Sequence, residues 1–115
     1  AITVACNTAT VVAVRELRQA THVPVVAIEP AIKPAVAMTR SGVVGVLATQ
    51  QTVQSDSVAH LIERFAHGSR VLLQACPGWV EQVEKGELDS ALTQELLRSH
   101  TRPLIQAGAD VWPAA

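Results

Sequence analysis

The sequence predicts an α/β protein built on a mostly parallel sheet with flanking helices. Short apolar runs rich in β-branched residues recur along the chain, and segments with helical periodicity separate them. A strand that is buried on both faces reads as a nearly continuous apolar run. Strands that alternate with helices predict a parallel sheet with right-handed crossovers, so we expect that topology here.

The strands are predicted from five runs of apolar and β-branched residues. The first three are nearly continuous in apolar residues, and the fifth is the weakest. The five runs are residues 2–5, 23–28, 43–48, 70–73 and 110–112.

The helices are predicted from apolar residues that recur at helical spacing between these strands. In the clearest segment, 52–67, the residues Val58, Leu61 and Phe65 share one face. Gly68 follows it as a helix-ending residue, and Asp89 is the predicted N-cap of the last helix. The predicted helices are residues 10–20, 31–40, 52–67, 78–85 and a final segment that runs from Asp89 to Gly108.

Length, charge and cysteine content narrow the class of protein. The 115 residues suit one α/β domain or a fragment of one, and both ends of the chain read as cuts through a longer protein. A net charge of −1 gives no electrostatic basis for binding nucleic acid or an anionic membrane. Two cysteines favour free thiols in a reducing cytoplasm, and the four histidines show no metal-ligand spacing.

Cys6, Asn7 and Thr8 stand where the first strand ends and a helix begins. In open α/β folds, ligands bind outside the carboxyl ends of the strands. A helix start supplies free backbone N–H groups and a partial positive charge, which stabilise a thiolate. Cys6 is therefore a candidate base or nucleophile; the competing interpretation is a small buried residue beside a helix cap.

A second polar junction follows the third strand, where Thr49 and Thr52 introduce the next helix. In a parallel sheet this junction opens onto the same edge as Cys6. Helix capping is an equally ordinary role for these threonines, and it does not exclude contact with a ligand. Two polar junctions on one edge predict a small-molecule site. Glu84, by contrast, lies in a charge-rich helix end that reads as solvated surface.

Four segments carry a resemblance to bacterial glutamate racemases, within the aspartate/glutamate racemase family. They are, in chain order, 4–10 (VACNTAT), 24–35 (PVVAIEPAIKPA), 45–49 (GVLAT) and 75–80 (ACPGWV). The resemblance runs to about Asp110. It implies a racemase-like, flavodoxin-like half of an enzyme that inverts the α-carbon of glutamate for peptidoglycan synthesis, without cofactor or metal. One thiolate removes the α-proton, and an opposite thiol returns a proton to the other face.

The resemblance also implies roles for individual residues. Cys6 matches the first catalytic cysteine, and Asn7 and Thr8 match substrate-binding positions. Thr49 and Thr52 match the threonines that hold the polar groups of glutamate. Glu84 matches a glutamate that assists the second catalytic cysteine, which replaces the surface interpretation reached from its neighbours.

The chain departs from the family pattern at the second catalytic motif, Gly-Cys-Thr-His. Residues 111–115 (VWPAA) stand near its expected place, and Cys76 lies in a separate Ala-Cys-Pro position. One half of a two-base site is therefore predicted, and we expect no racemisation from these residues alone. Two alternatives stay open: a non-catalytic binding or assembly module, and a racemase for aspartate or a related amino acid. A homo-oligomer also stays open.

Overall fold

The computed structural model describes residues 1–113, which form four strands and six helices. Strands and helices alternate through the first half of the chain, so the predicted α/β class is confirmed. Of residues 111–115, which stand near the expected second motif, Ala114 and Ala115 lie outside the described part. The elements are β1 (Ile2–Val4), α1 (Asn7–Ala20), β2 (Val25–Ala27), α2 (Ile32–Met38), β3 (Val43–Ala48), α3 (Gln50–Val53), α4 (Asp56–Phe65), β4 (Arg70–Ala75), α5 (Trp79–Glu84) and α6 (Ala91–Gln106).

The strands form two separate parallel pairs, β1 with β2 and β3 with β4. The prediction of one parallel sheet is wrong in this respect for the described residues. Both edges of β3 are occupied, because its second edge is taken by the segment after α6. The N–H of Gly45 donates to the carbonyl of Val111 at 3.0 Å, and that of Leu47 donates to Pro113 at 3.1 Å. No edge of β3 is left for β1 or β2.

The core lies around β3, which is the most buried strand. Val44 and Val46 are fully buried and pack with Ile32 of α2 and Val58 of α4. On the opposite face, α6 approaches so closely that a Cβ on Gly45 would lie 2.8 Å from Cδ1 of Leu104. Burying a valine or isoleucine side chain contributes roughly 1.5–3 kcal/mol. These contacts hold the carboxyl end of β3 in place.

Side-chain caps account for most of the differences between the predicted and the observed helices. The predicted helix 52–67 is two helices, because Ser55 accepts a hydrogen bond from the N–H of Val58 at 3.2 Å and starts α4 anew. The last helix is capped by Ser90 rather than Asp89, through the N–H of Thr93 at 3.2 Å. α1 begins at Asn7, three residues before the predicted start at residue 10. The predicted strand 110–112 is reduced to one bridge at Val111.

Asp110 fastens the α2–β3 loop to the segment after α6. Its carboxylate accepts hydrogen bonds from the N–H groups of Arg40 at 2.8 Å and Ser41 at 2.9 Å, and from the hydroxyl of Thr39. The hydroxyl of Thr39, with these two N–H groups, holds the pKa of Asp110 well below its usual range. At pH values above about 4, the pKa of an aspartate in the unfolded chain, the charged carboxylate therefore stabilises the fold. This stabilisation is lost as the pH falls below that value toward the folded-state pKa.

We expect Asp110→Asn to lower the melting temperature at neutral pH. The asparagine keeps one acceptor oxygen but turns N–H donors toward the N–H groups of the loop. The difference from the native protein should shrink as pH falls below about 4. Thermal unfolding followed by circular dichroism measures both effects. Asp89→Asn is the control, because the Asp89 side chain forms no hydrogen bond with the described residues. A difference that does not change with pH would contradict this account.

Candidate functional site

Three threonine hydroxyls meet at the carboxyl ends of β1 and β3. Oγ1 of Thr8 lies 3.1 Å from Oγ1 of Thr49 and 3.0 Å from Oγ1 of Thr52. The hydroxyl of Thr49 lies 3.0 Å from that of Thr52. We call this group the hydroxyl triangle. It brings together residues 41 and 44 positions apart in the sequence, so the two polar junctions do lie side by side, although β1 and β3 belong to separate strand pairs.

The local fold explains how each member is positioned. Thr8 lies in the first turn of α1, directly after β1. Thr49 is the N-cap of α3, and its Oγ1 accepts a hydrogen bond from the N–H of Thr52 at 3.3 Å. Thr52 is fully buried, whereas Thr8 and Thr49 are half-buried. Thr8 and Thr49 can therefore face a ligand, and Thr52 holds the two of them from behind.

The hydroxyl triangle has a definite hydrogen-bonding capacity. Each hydroxyl has one proton and two acceptor lone pairs. If each donates to the next, all three protons are used within the ring. Thr49 also accepts from the N–H of Thr52, and Thr52 is buried, so the remaining lone pair of Thr8 accepts from a donor such as an ammonium group. A carboxylate is bound when one hydroxyl rotates outward and donates. The triangle can therefore hold either polar end of an amino acid.

Cys6 lies at the N-cap of α1 with an exposed side chain. Its Sγ accepts a hydrogen bond from the N–H of Ala9 at 3.5 Å. The next residue, Asn7, is half-buried, and its buried Oδ1 has no hydrogen-bond partner among the described residues. An exposed thiol at a helix N-terminus, next to an unused amide acceptor, is suited to proton transfer at a bound substrate.

Glu84 is the last residue of α5 and is exposed. No hydrogen bond or ion pair within residues 1–113 connects its carboxylate to Cys6 or to the hydroxyl triangle. The structure therefore brings together Thr8, Thr49 and Thr52, with Cys6 and Asn7 in the same helix start, and leaves Glu84 outside that group.

Cys76 lies nearer to Asn7 and Thr49 than its sequence context indicated. It directly follows β4, is 6% exposed, and its N–H donates to the carbonyl of Ala48 at 2.9 Å. Together with Asn7 and Thr49 it lines a pocket of about 300 Å³. The parallel pairing of β3 and β4 explains this position, because it brings the carboxyl ends of both strands side by side. Burial raises the pKa of the Cys76 thiol and keeps it neutral.

The two thiols should therefore differ in reactivity. We expect iodoacetamide to modify Cys6 at least about tenfold faster than Cys76 at neutral pH, because the thiolate is the reactive form and Cys76 is both buried and neutral. Peptide mass spectrometry over a time course measures the two rates. Unfolding in urea should make them equal, which is the control. Faster modification of Cys76 in the folded protein would contradict this description.

Three further observations on the described residues concern a larger groove, metal binding and membrane-spanning helices. A larger groove of about 1080 Å³ runs between α1 and α4, but Cys6 and the hydroxyl triangle do not line it. Residues 1–113 contain no group of three or more histidine, cysteine or acidic side chains placed to hold a metal ion. Within the same residues, no helix has the length and apolar content needed to cross a bilayer.

Comparison with known sequences points to one family. The family profile described as Asp/Glu/Hydantoin racemase matches residues 1–111. A glutamate racemase of Methylococcus capsulatus is 51% identical over 110 residues, covering 96% of this chain and 41% of that protein. One of Pseudomonas putida KT2440 is 52% identical over 111 residues, covering 96% of this chain and 42% of that protein. The chain thus spans about two fifths of the length of these relatives.

Solved structures show the same relation. Escherichia coli glutamate racemase, in complex with L-glutamate and an activator, UDP-MurNAc-Ala, matches with a TM-score of 0.75 and 35% identity. That match covers 96% of this chain and 41% of the other. The isoform RacE1 of Bacillus anthracis matches with a TM-score of 0.79 and 26% identity, covering 96% of this chain and 42% of the other.

Proposed function

Because the chain belongs to the Asp/Glu/hydantoin racemase family, we propose that it supplies one side of the active site of a glutamate racemase with the length of its relatives. The proposed activity is cofactor-independent interconversion of L- and D-glutamate, which provides D-glutamate for peptidoglycan synthesis in the cytoplasm. The observation that carries the proposal is the hydroxyl triangle, formed beside a helix that begins at an exposed cysteine.

Cys6 is proposed as one of two bases. A single base returns its proton to the face from which it came, so inversion requires a second donor on the opposite face. The α-proton of an amino acid is very weakly acidic, and the thiolate must be held against the carbon while fixed dipoles stabilise the carbanion. The N–H of Ala9 donates to Sγ of Cys6 and holds the sulfur at the start of α1. Cys76 is not proposed as the second base, because it is buried and lies in the separate Ala-Cys-Pro position.

Glutamate is proposed to bind through the polar side chains of the same edge. Thr8 and Thr49 are half-buried; the hydroxyl of Thr8 accepts from the ammonium group, and either hydroxyl donates to a carboxylate by rotating outward. Thr52 takes part through these two hydroxyls, since it is itself fully buried. Asn7 has an unused buried acceptor, which suits the ammonium group of the substrate. The E. coli relative was solved with L-glutamate, which supports the choice of substrate.

Glu84 is proposed to assist the second catalytic cysteine, which the family carries in another segment. Its exposure leaves the carboxylate accessible to such a segment. Glu84→Gln should slow turnover while leaving the alkylation rate of Cys6 unchanged, because the two residues share no described contact. A parallel loss of both would indicate instead a general disturbance of the fold.

The proposed function is tested with a panel of three substrates. A protein that contains this chain at the length of its relatives is incubated with L-glutamate, L-aspartate or a substituted hydantoin, and the products are separated by chiral chromatography. We expect racemisation of glutamate without added cofactor. A preference for aspartate would identify aspartate as the substrate instead of glutamate. Glutamate binding without turnover would support a non-catalytic binding module. Residues 1–115 alone should not racemise glutamate, since they hold one base of the pair.

A further inference from the structure

Few hydrogen bonds set the position of α1 relative to the strand β3 and the helices that follow it. The pair β1–β2 shares no ladder with the pair β3–β4, so no main-chain pairing fixes one against the other. Within the described residues, two kinds of hydrogen bond join the segment up to β2 to the segment from β3 onward. They are those that Thr8 forms in the hydroxyl triangle and one that Ser57 of α4 donates. The placement of Cys6, at the start of α1, therefore depends on few directional contacts.

The second of these contacts lies outside the candidate site. Ser57 is in the first turn of α4, and its side chain is half-buried. Its Oγ donates to the main-chain carbonyl of Val11 in α1 at 3.1 Å, which joins residues 46 positions apart. A helical carbonyl bonds to the N–H four residues further on and keeps a second lone pair. Val11 therefore accepts from Ser57 without any loss of hydrogen bonding inside α1.

The hydroxyl triangle and the Ser57 bond hold α1 at two points. Thr8 and Val11 are three residues apart, which is about 4.5 Å along a helix axis. Contact at Thr8 alone lets α1 pivot about that residue, whereas a second bond almost one turn away fixes the direction of the helix. The side chain of Val11 also packs against the core around β3, but apolar attraction is non-directional and does not set this angle.

The surroundings of Ser57 give α1 room to shift when this bond is removed. Ser57 and Val11 both line the groove of about 1080 Å³ between α1 and α4. A tilt of α1 into this space moves Cys6 relative to Thr49. A misplacement of about 1 Å at a reacting group can lower a rate on the order of a hundredfold.

We propose that Ser57 is a positioning residue, whose hydrogen bond to α1 sets the direction of that helix and thereby the place of the Cys6 thiol relative to the hydroxyl triangle. Ser57 acts through α1 and does not itself contact the substrate. The effect on racemisation rests on the proposed function, whereas the control of α1 does not.

The effect on racemisation is tested with Ser57→Ala in a protein that contains this chain at the length of its relatives. We expect kcat for glutamate to fall at least about tenfold while KM changes less than about threefold, because Thr8 and Thr49 keep their partners but Cys6 is displaced. Ser57→Thr keeps the hydroxyl, and its extra methyl group has room in the groove, so kcat should stay within about threefold of the native value. A residue that only stabilises the fold would leave kcat unchanged in folded protein.

The matched control is Ser99→Ala. Oγ of Ser99 also donates to a main-chain carbonyl at 3.1 Å, but that carbonyl belongs to its own helix, α6. Loss of this hydroxyl should change kcat less than about twofold, because it joins no two elements.

The control of α1 is tested without activity, by urea denaturation of the same protein. Each of the two contacts holds α1 ready for the other, so each weakens when the other is lost. The combined effect of Thr8→Val and Ser57→Ala on the unfolding equilibrium constant should therefore be at least about threefold smaller than the product of the single effects. Thr8→Val combined with Ser99→Ala should match its product within about twofold.

Native kcat in Ser57→Ala, an equal loss of kcat in Ser57→Thr, or independent effects of Thr8→Val and Ser57→Ala on unfolding would overturn the proposal. The two proposals fail separately. Coupled unfolding in a protein that does not racemise glutamate would reject the proposed function and leave the control of α1 by Ser57 in place.

Discussion

Replacing Cys6 by serine is expected to lower the interconversion of L- and D-glutamate at least about a thousandfold in a protein that contains this chain at the length of its relatives. Serine preserves the start of α1, because its hydroxyl is a strong N-cap and can accept from the N–H of Ala9 as the sulfur does. It removes the thiolate, which a serine hydroxyl does not replace as a base. The exposed position of Cys6 leaves the core intact. The loss is therefore expected in turnover and not in folding.

The matched control is the second thiol of the chain. Cys76→Ala should keep turnover within about tenfold of the native value, because Cys76 is not proposed to exchange a proton with the substrate. Circular dichroism and thermal unfolding establish that both variants are folded before activity is measured. Near-native turnover of Cys6→Ser, or an equal loss in Cys76→Ala, would contradict the assignment of Cys6.

Thr52→Val is expected to raise KM for glutamate roughly tenfold to a hundredfold, equivalent to about 1–3 kcal/mol of lost binding. Valine matches the shape of threonine but has no hydroxyl, so Thr8 and Thr49 keep their mutual hydrogen bond, and Thr49 keeps the one from the N–H of residue 52, but the third hydroxyl is lost. Thr52 is fully buried and cannot itself face the substrate. It acts as a positioning residue through the two half-buried hydroxyls that lie 3.0 Å from its own.

A structural role alone would give a different pattern of results. Thr52→Ser keeps the hydroxyl and loses a buried methyl group, so it should restore KM toward the native value while lowering the free energy of unfolding by about 1 kcal/mol. Urea denaturation of both variants measures that free energy, and initial rates at varied glutamate concentration measure KM. A native KM in Thr52→Val, or an equally raised KM in Thr52→Ser, would contradict the positioning role.

The α/β class and the shared edge of the site could be predicted from local patterns. Buried strands leave apolar runs, and the polar residues after β1 and β3 were expected at one edge because the carboxyl ends of parallel strands lie together. That reasoning placed Thr8, Thr49 and Thr52 correctly relative to one another. That reasoning assumed a single sheet, and the three hydroxyls meet even though β1 and β3 lie in separate strand pairs.

The remaining features depend on contacts between distant residues. The segment around Val111 takes the second edge of β3 from far along the chain. The break between α3 and α4 depends on whether Ser55 uses its hydroxyl as a cap, and helical periodicity does not reveal this. Likewise, the unpaired amide oxygen of Asn7 becomes visible only when the surrounding side chains are placed.

In the proposed mechanism the thiol of Cys6 exchanges a proton with the α-carbon of glutamate. The most direct test of this exchange is to follow L-glutamate in D2O by proton NMR and chiral chromatography, with no cofactor added and with a protein of the relatives' length. We expect every molecule of D-glutamate formed to carry deuterium at the α-carbon, and Cys6→Ser to stop both its formation and the incorporation of deuterium. D-glutamate that retains its original α-proton would rule out proton exchange through Cys6.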